Sequence, residues 1–269
     1  MTLKNGLSEE LNRQGNEHFS RGHYTDAYTC YAKALECDRM TGDRRALAAT
    51  LGNMGNICAV SGRRDAAHNY YQEVLELQKI LGDEKGIGTT LANLGNLRAD
   101  AGEWQRAKAY YLEALDLMKK THDDAAMAVL YSDLGLVERE TGRFDEAVTN
   151  YEHSLALMRR LGNQGGAADA WRMMARTFLM QQRYDDALAC CQTSLSIAER
   201  SRDELRVGGA RYVMTQCYEA LGRIEEAATL LAQVVEMDLK YQLPKLEENR
   251  ARLSALRQRL AASPRSEAR

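Results

Sequence analysis

The chain has 269 residues, of which 45% are apolar, and 36 basic against 38 acidic side chains give it a formal net charge of -2. This length fits one or two globular domains, and the charge balance argues against a general nucleic-acid binder, which usually carries a basic excess on one face. No N-terminal apolar run resembles a secretory signal, and no apolar run reaches the roughly 20 residues that span a bilayer. We therefore predict a soluble, cytoplasmic protein that contacts neither nucleic acid nor membrane.

Helix is the only regular structure that the sequence predicts. The chain contains two prolines, Pro244 and Pro264, and both lie near its end. A chain rich in alanine, leucine, glutamate and arginine can form long helices when no proline interrupts the backbone hydrogen bonds. No segment shows the alternation of apolar and polar residues that is typical of a strand. The predicted fold class is therefore all-α.

After residues 1–7, which we predict to be a disordered N-terminus, the chain repeats with a period of 40 residues over residues 8–242. A small residue recurs without any insertion at Ala27, Ala67, Ala107, Ala147, Ala187 and Ala227. Five positions earlier, the turn residues are Gly22, Gly62, Gly102, Gly142, Gln182 and Gly222. Six copies in one register predict six equivalent structural units.

Each unit is predicted to form two helices. In the third unit, apolar residues from Ile87 to Leu97 recur at helical spacing, and Gly102 then ends the first helix. Ala107 leaves room for the second helix to approach the first closely. A short polar side chain that can cap the following helix recurs at Asp43, Asp83, Asp123, Asn163 and Asp203.

These columns resemble the tetratricopeptide repeat (TPR) family. The residues that carry the resemblance are Leu51, Leu91, Tyr131 and Trp171, then Gly15, Gly55, Gly95 and Gly135, then Tyr31, Tyr71, Tyr111 and Tyr151. The usual unit of the family has about 34 residues and ends in a proline, whereas this unit has 40 and no proline. The longer unit is similar to the subgroup that contains the LGN/Pins polarity scaffolds, the bacterial Rap regulators and the kinesin light chains.

The resemblance implies a right-handed α-solenoid of six two-helix units, with a concave face lined by the first helix of each unit. The fifth and sixth copies depart from the pattern, because Ala175 and Thr215 replace glycine and Cys191 and Leu231 replace tyrosine. A capping helix is predicted over residues 243–262, beginning near Pro244, and residues 263–269 are predicted to be a disordered tail.

No constellation of catalytic residues is recognisable, so we predict no enzyme activity, no cofactor and no metal site. No two of the five histidines have the i, i+4 spacing of a helical zinc site, and the glycines of "LGDEKGIGTT" lack the pattern of a phosphate-binding loop. The six cysteines form no Cys-x-x-Cys pair and are predicted to be buried thiols in a reducing compartment.

Polar residues around the glycine column form the candidate peptide-binding site. An amide side chain offers two donors and an acceptor, so a row of amides can hold the backbone of an extended peptide, and an arginine suits a carboxylate. The candidate residues are Asn12, Asn16, Asn53, Asn56, Asn93, Asn96, Arg172, Arg176, Tyr212 and Gln216, and Asp133 lies in a matching column. The alternative is that these asparagines form hydrogen bonds between helices and serve the fold.

One known site of the family is not expected here. The carboxylate clamp that binds chaperone tails uses lysine, asparagine, asparagine, lysine and arginine, and the corresponding columns hold Asn12, Asn16, Asn53, Thr89 and Asn93. All three cations are missing, so a tail carboxylate would find no counter-charge.

The predicted function is a non-catalytic interaction scaffold that binds an extended or helical peptide from another protein in its concave groove. Two alternatives remain at this point, a peptide-responsive regulatory sensor of the Rap kind and a self-assembling scaffold. The basic character of the predicted capping helix argues against open-ended stacking but leaves a homodimer open.

Overall fold

The structure, a computed structural model, describes residues 2–262. This part of the chain forms thirteen α-helices and no strand. The helices are α1 (Thr2–Ser20), α2 (Tyr24–Thr41), α3 (Arg44–Val60), α4 (Arg64–Leu81), α5 (Glu84–Ala99), α6 (Trp104–Lys120), α7 (Asp124–Glu140), α8 (Phe144–Arg160), α9 (Gln164–Met180), α10 (Tyr184–Arg200), α11 (Glu204–Ala220), α12 (Ile224–Tyr241) and α13 (Leu246–Ala262). None of them combines the length and the apolar character that a membrane-crossing helix needs. The predicted all-α class and the two-helix units are confirmed.

The helix boundaries follow from the predicted caps and turns. The side chain of Asp43 accepts hydrogen bonds from the backbone N–H groups of Arg45 and Ala46, at 2.9 and 3.1 Å, which satisfies two donors that the first turn of a helix leaves unpaired. The equivalent residues of the later units, Asp83, Asp123, Asn163 and Asp203, accept in the same way. Within each unit the turn adopts a left-handed conformation, as at Gly102 with φ 73°.

The two helices of a unit pack closely because two columns hold small residues. All six alanines of the repeat column have no exposed surface. The glycine column receives the ring of the tyrosine column: a Cβ atom added to Gly95 would lie 2.5 Å from Cε1 of Tyr111. A larger residue at this position therefore requires a smaller partner, and the fifth unit has Ala175 and Cys191 within one hydrophobic cluster.

The chain divides into two compact units, Met1–Ala126 and Met127–Arg269, with the division inside α7. In the first, one cluster groups Tyr31 with Met54 and Ile57, and another groups Leu51 with Val74. In the second, one large cluster extends from Ala128 to Cys217. A smaller cluster joins α12 to α13 through Leu231, Val234, Leu253 and Leu256.

Both ends of the described chain differ from the predicted boundaries. Helix α1 begins at Thr2, so residues 2–7, predicted to be disordered, form its first turns. No proline precedes the buried Ser8, and nothing stops the helix from continuing towards the N-terminus. The capping helix begins at Leu246 rather than at Pro244, and Leu260, expected on its apolar side, is 37% exposed. The predicted disordered tail, 263–269, lies outside the described residues.

Candidate functional site

Three asparagines of the candidate site hold the tyrosines of the core. The hydroxyl group of Tyr31 donates to Oδ1 of Asn16 at 2.7 Å, and Tyr71 donates to Asn56 at 2.8 Å. Tyr111 donates to Asn96 at 2.7 Å in the same arrangement. In each case the asparagine follows the glycine on which the tyrosine ring packs. The carbonyl oxygen of the amide therefore serves the fold, while its amino group takes no part in this hydrogen bond.

Asn12 and Asn53 belong to a hydrogen-bonded chain that links helices α1, α2 and α3 of the first compact unit, Met1–Ala126. Nδ2 of Asn53 donates to Oδ1 of Asn12 at 3.1 Å, and Nδ2 of Asn12 donates to the hydroxyl oxygen of Thr50 at 2.7 Å. That hydroxyl donates in turn to the carboxylate of Asp38 at 2.6 Å. Thr50 and Asp38 are almost completely buried, at 0% and 1% exposure. These contacts support the structural alternative for Asn12 and Asn53, since a buried network that loses one member leaves its neighbours unsatisfied.

Asn93 differs from the other asparagines of the candidate site. Its side chain is half-buried and forms no hydrogen bond with another side chain or backbone group within residues 2–262. Its amide therefore retains two donors and one acceptor for a ligand.

The pattern of a tyrosine paired with an asparagine changes in the fourth repeat unit, at the start of the second compact unit, Met127–Arg269. Leu136 takes the place of the asparagine, and the hydroxyl oxygen of the fully buried Tyr151 has no hydrogen-bond partner in the described part of the chain. Burial raises the pKa of Tyr151 to about 12. Burial also raises the pKa of Asp133, one column away, to about 7. This stretch combines a carboxyl group and a hydroxyl group that the fold leaves poorly solvated.

Arg172 is held by an ion-pair network. Its guanidinium group donates to Asp169 at 3.0 Å, and Asp169 also accepts from Arg206 at 3.0 Å. Arg206 is paired in addition with Asp203, the cap of α11. Two arginines and two aspartates thus compensate one another, which leaves Arg172 little free charge for a ligand.

Arg176, one turn farther along α9, forms no hydrogen bond or ion pair with another residue of the described chain. Burial, followed by the neighbouring guanidinium groups of Arg172 and Arg139, lowers the pKa of Arg176. Its surroundings therefore hold excess positive charge, and an anion placed beside it would be stabilised. Of the two arginines in the predicted site, Arg172 has an acidic partner and Arg176 has none among the described residues.

Arg176 lines a pocket of about 310 Å³ in the second compact unit, which we call the terminal pocket. Tyr212 lines it too, and the ammonium group of Lys245 lies 5.2 Å from the centre of the Tyr212 ring. Lys245 is exposed and forms no ion pair with a described residue, so it is a second cation without an acidic partner. The full lining is Arg176, Leu205, Gly208, Gly209, Tyr212, Val234, Met237, Asp238, Leu243, Pro244, Lys245 and Asn249.

The floor of the terminal pocket is apolar apart from one buried pair. Nδ2 of Asn249 donates to the carboxylate of Asp238 at 2.7 Å, whereas Oδ1 of Asn249 is buried and has no partner among the described residues. Glycine at position 208 allows Met237 to pack against α11, since a Cβ atom there would lie 1.9 Å from Cε of Met237. Leu205 is 52% exposed at the rim. The pocket thus offers an apolar surface, two cations and one unsatisfied acceptor, and the carboxylate of Asp238 is paired with Asn249.

In the second compact unit, the structure brings together only part of the predicted site. Arg176 and Tyr212 share the terminal pocket, whereas Gln216 is half-buried and does not line it. The sequence prediction missed Lys245 and Asn249, because they belong to the segment read only as a cap. The pair Gly208–Gly209 in the middle of a helix was the available signal, since glycine there is unfavourable unless space is needed.

Comparison with protein families shows to which family the chain belongs. The model of the tetratricopeptide repeat matches residues 11–80, 86–160 and 166–240. The chain belongs to the tetratricopeptide repeat family. TPR proteins generally act as non-catalytic interaction scaffolds or regulators. No curated protein sequence matches this TPR chain significantly.

Solved structures show the same TPR fold at low sequence identity. A signal-transduction ATPase with a tetratricopeptide repeat sensor from Pyrococcus horikoshii superposes with a TM-score of 0.77 at 13% identity, over 91% of this chain and 38% of that one. A Rap protein complexed with competence and sporulation factor gives 0.68 at 16% identity, over 95% and 76% of the two chains. BtubC from P. vanneervenii gives 0.63 at 14% identity, over 99% and 95%. This chain thus spans well under half of the archaeal ATPase.

Proposed function

We propose that this TPR protein binds a segment of another protein that combines an acidic group with apolar side chains, and that the terminal pocket holds that segment. The observation that carries the proposal is the half-buried Arg176, which has no acidic partner in the described chain and lies beside an apolar cavity. A carboxylate from a ligand would compensate Arg176 and Lys245 together. Charge-assisted hydrogen bonds to a guanidinium group are stronger than neutral ones.

The apolar lining supplies the second part of the recognition. Leu205, Met237 and Leu243 surround a volume that accommodates a large aliphatic side chain. An exposed leucine at the rim of such a pocket is stabilised when a ligand covers it, at about 25 cal/mol per Å² of apolar surface removed from water. The combination selects against a basic segment, which would bring like charges next to Arg176.

In the first compact unit, Met1–Ala126, we propose a separate peptide contact at the amide row, through Asn93 and through the amino groups of Asn16, Asn56 and Asn96. Asn93→Ala should weaken peptide binding without changing the stability of the fold, because the side chain has no internal partner. Asn53→Ala should instead lower stability, because it removes a donor to Asn12. Calorimetric titration and thermal melting of the two variants separate these effects, and a stable Asn93→Ala protein with unchanged affinity would place the peptide elsewhere.

A pair of matched peptides tests the terminal pocket. Fluorescence polarisation compares a labelled peptide in which glutamates alternate with leucines and a peptide with lysine at every glutamate position. The acidic peptide should bind more tightly, and Arg176→Ala should weaken it about 10–100-fold, equivalent to a charged hydrogen bond of about 1.5–3 kcal/mol. Arg172→Ala is the control, since its charge is already compensated by Asp169. Equal affinity for both peptides, or equal effects of the two substitutions, would refute the proposal.

A further inference from the structure

Two side chains that are five residues apart meet across the central turn of several repeat units. The first lies near the end of the first helix, and the second occupies the residue before the second helix. In later units they form ion pairs or place an arginine over an aromatic ring: Arg98 with Glu103, Glu138 with Arg143, Phe178 with Arg183 and Tyr218 with Arg223. In the first unit both are histidines, His18 and His23, with ring centres 6.1 Å apart. The attractive pair of these four later units is thus replaced by two imidazoles.

A carboxylate completes this group. Asp26, in the first turn of α2, has Oδ2 at 3.9 Å from Nδ1 of His18. One nitrogen from each histidine and one oxygen of Asp26 all lie within 4.8 Å of one another. Nδ1 of His18 is shielded from solvent and has no hydrogen-bond partner within residues 2–262. The turn fixes the spacing of the histidines, because the backbone N–H of His23 donates to the carbonyl oxygen of His18 at 2.9 Å.

We propose that His18, His23 and Asp26 form a binding site for a divalent transition-metal ion of the zinc class. Imidazole nitrogen and carboxylate oxygen are ligands that zinc accepts, and three protein ligands leave a fourth position for water or for a side chain of another molecule. Ligand atoms bound at about 2.0–2.1 Å in a tetrahedral site lie about 3.3 Å apart. Small side-chain rotations would close the present separation, and Asp26 is free to move because its side chain is 64% exposed.

The metal would link the two helices of the first unit through their shared turn. Phe19 and Tyr24 already contact each other edge to face there, with ring centres 5.6 Å apart. No metal site was predicted from the sequence, because His18 and His23 are five residues apart and lack the i, i+4 spacing of a helical zinc site. The i, i+5 spacing brings ligands together here only because a left-handed residue, Gly22, reverses the chain between them.

Isothermal titration of metal-free protein with zinc chloride tests the site. The wild-type chain should bind one zinc ion. Loss of a side chain that only hydrogen-bonds to a metal ligand weakens metal affinity about 10–100-fold. His18→Ala and His23→Ala each remove a ligand itself, so each should weaken zinc binding by at least that factor. His122→Gly is the matched control, since His122 also lies in an interhelical turn and its φ of 54° suits glycine. Circular dichroism verifies that each variant is folded.

Cobalt substitution separates this site from the cysteines. Cobalt(II) held by imidazole and carboxylate gives visible d–d bands without the near-ultraviolet charge-transfer band that a thiolate ligand produces. Visible bands in the wild type that are lost in the His18→Ala, His23→Ala double variant would support the site. A thiolate band that persists in the double variant, wild-type affinity in either single variant, or no saturable zinc binding by the wild type would overturn the proposal.

Discussion

One substitution, tyrosine to phenylalanine, can be made at four equivalent positions that differ only in the partner of the hydroxyl group. At Tyr31, Tyr71 and Tyr111 the hydroxyl donates to an asparagine at 2.7–2.8 Å. At Tyr151 it is buried without a partner among the described residues. The packing of the rings is otherwise the same, because each lies on a glycine with closely similar contacts. The series therefore isolates the hydroxyl group.

The expected change in the free energy of unfolding differs between the first three tyrosines and Tyr151. Removing a hydroxyl that forms a hydrogen bond should destabilise the protein by about 0.5–1.5 kcal/mol at each of the first three positions. Leaving a polar group buried and unsatisfied costs about 1–3 kcal/mol, so Tyr151→Phe should be neutral or stabilising. Leu136→Asn supplies the missing partner, and in a double-mutant cycle with Tyr151→Phe the two changes should show a coupling of about 1 kcal/mol.

Urea unfolding followed by circular dichroism measures these differences, with the slope of each transition checked for constancy. Tyr111→Phe and Tyr151→Phe are the decisive comparison. If Tyr151→Phe lowers the free energy of unfolding as much as Tyr111→Phe does, then its hydroxyl has a partner in solution and the reasoning from the Leu136 exchange is wrong. A coupling near zero between Leu136→Asn and Tyr151→Phe would lead to the same conclusion.

Three further predictions concern stability. Asp133 has a pKa of about 7 in the folded protein and about 3.9 in the unfolded chain, so the folded state binds more protons between these pH values. The free energy of unfolding should therefore fall as the pH rises from about 4 to 7, by up to about 4 kcal/mol. Urea titrations at several pH values measure this dependence, and Asp133→Asn should abolish it. Ala107→Leu should cost about 1–3 kcal/mol by overpacking, whereas Ala261→Leu on the exposed end of α13 should cost almost nothing, and equal effects in denaturation would contradict the repeat register. Ending the chain at Gln242 should expose Leu231 and lower the free energy of unfolding by about 3–6 kcal/mol, because the burial of two leucine side chains of α13 is lost. A monomeric truncated protein with an unchanged melting curve would refute the role of the cap.

The sequence determined the architecture because its signals are local and repeated. A turn glycine such as Gly102 and a cap such as Asp43 act within a few residues of themselves, and six copies in register remove the ambiguity of any one copy. The alanine column was also readable, since a small residue at a fixed place in each unit indicates a close approach of helices. Boundaries were less certain at Thr2 and Leu246, where only one copy of the signal exists.

The candidate site was less predictable because its roles depend on pairs that are distant in sequence. Asn16 could be identified as the hydrogen-bond acceptor of the buried Tyr31, fifteen residues away, only from the structure. Arg172 and Arg176 look equivalent on one face of one helix, yet Asp169 compensates the first and not the second. The terminal pocket combines α9, α11, α12 and residues 243–249 of the second compact unit, and no short stretch of the sequence contains these four segments together.

The repeat columns explain how Arg176, the proposed binding residue, can arise without disturbing the scaffold. In the first three units, the residue after the glycine is an asparagine that accepts a hydrogen bond from the tyrosine packed on that glycine. In the fifth unit Cys191 replaces the tyrosine and Ala175 the glycine, so no hydroxyl needs an acceptor there. The next position, Arg176, is thereby free of an internal role, and its guanidinium group is available to a ligand. In the fourth repeat unit the glycine and the tyrosine are retained, but Leu136 replaces the asparagine that would accept the hydrogen bond. The hydroxyl group of Tyr151 is therefore unsatisfied.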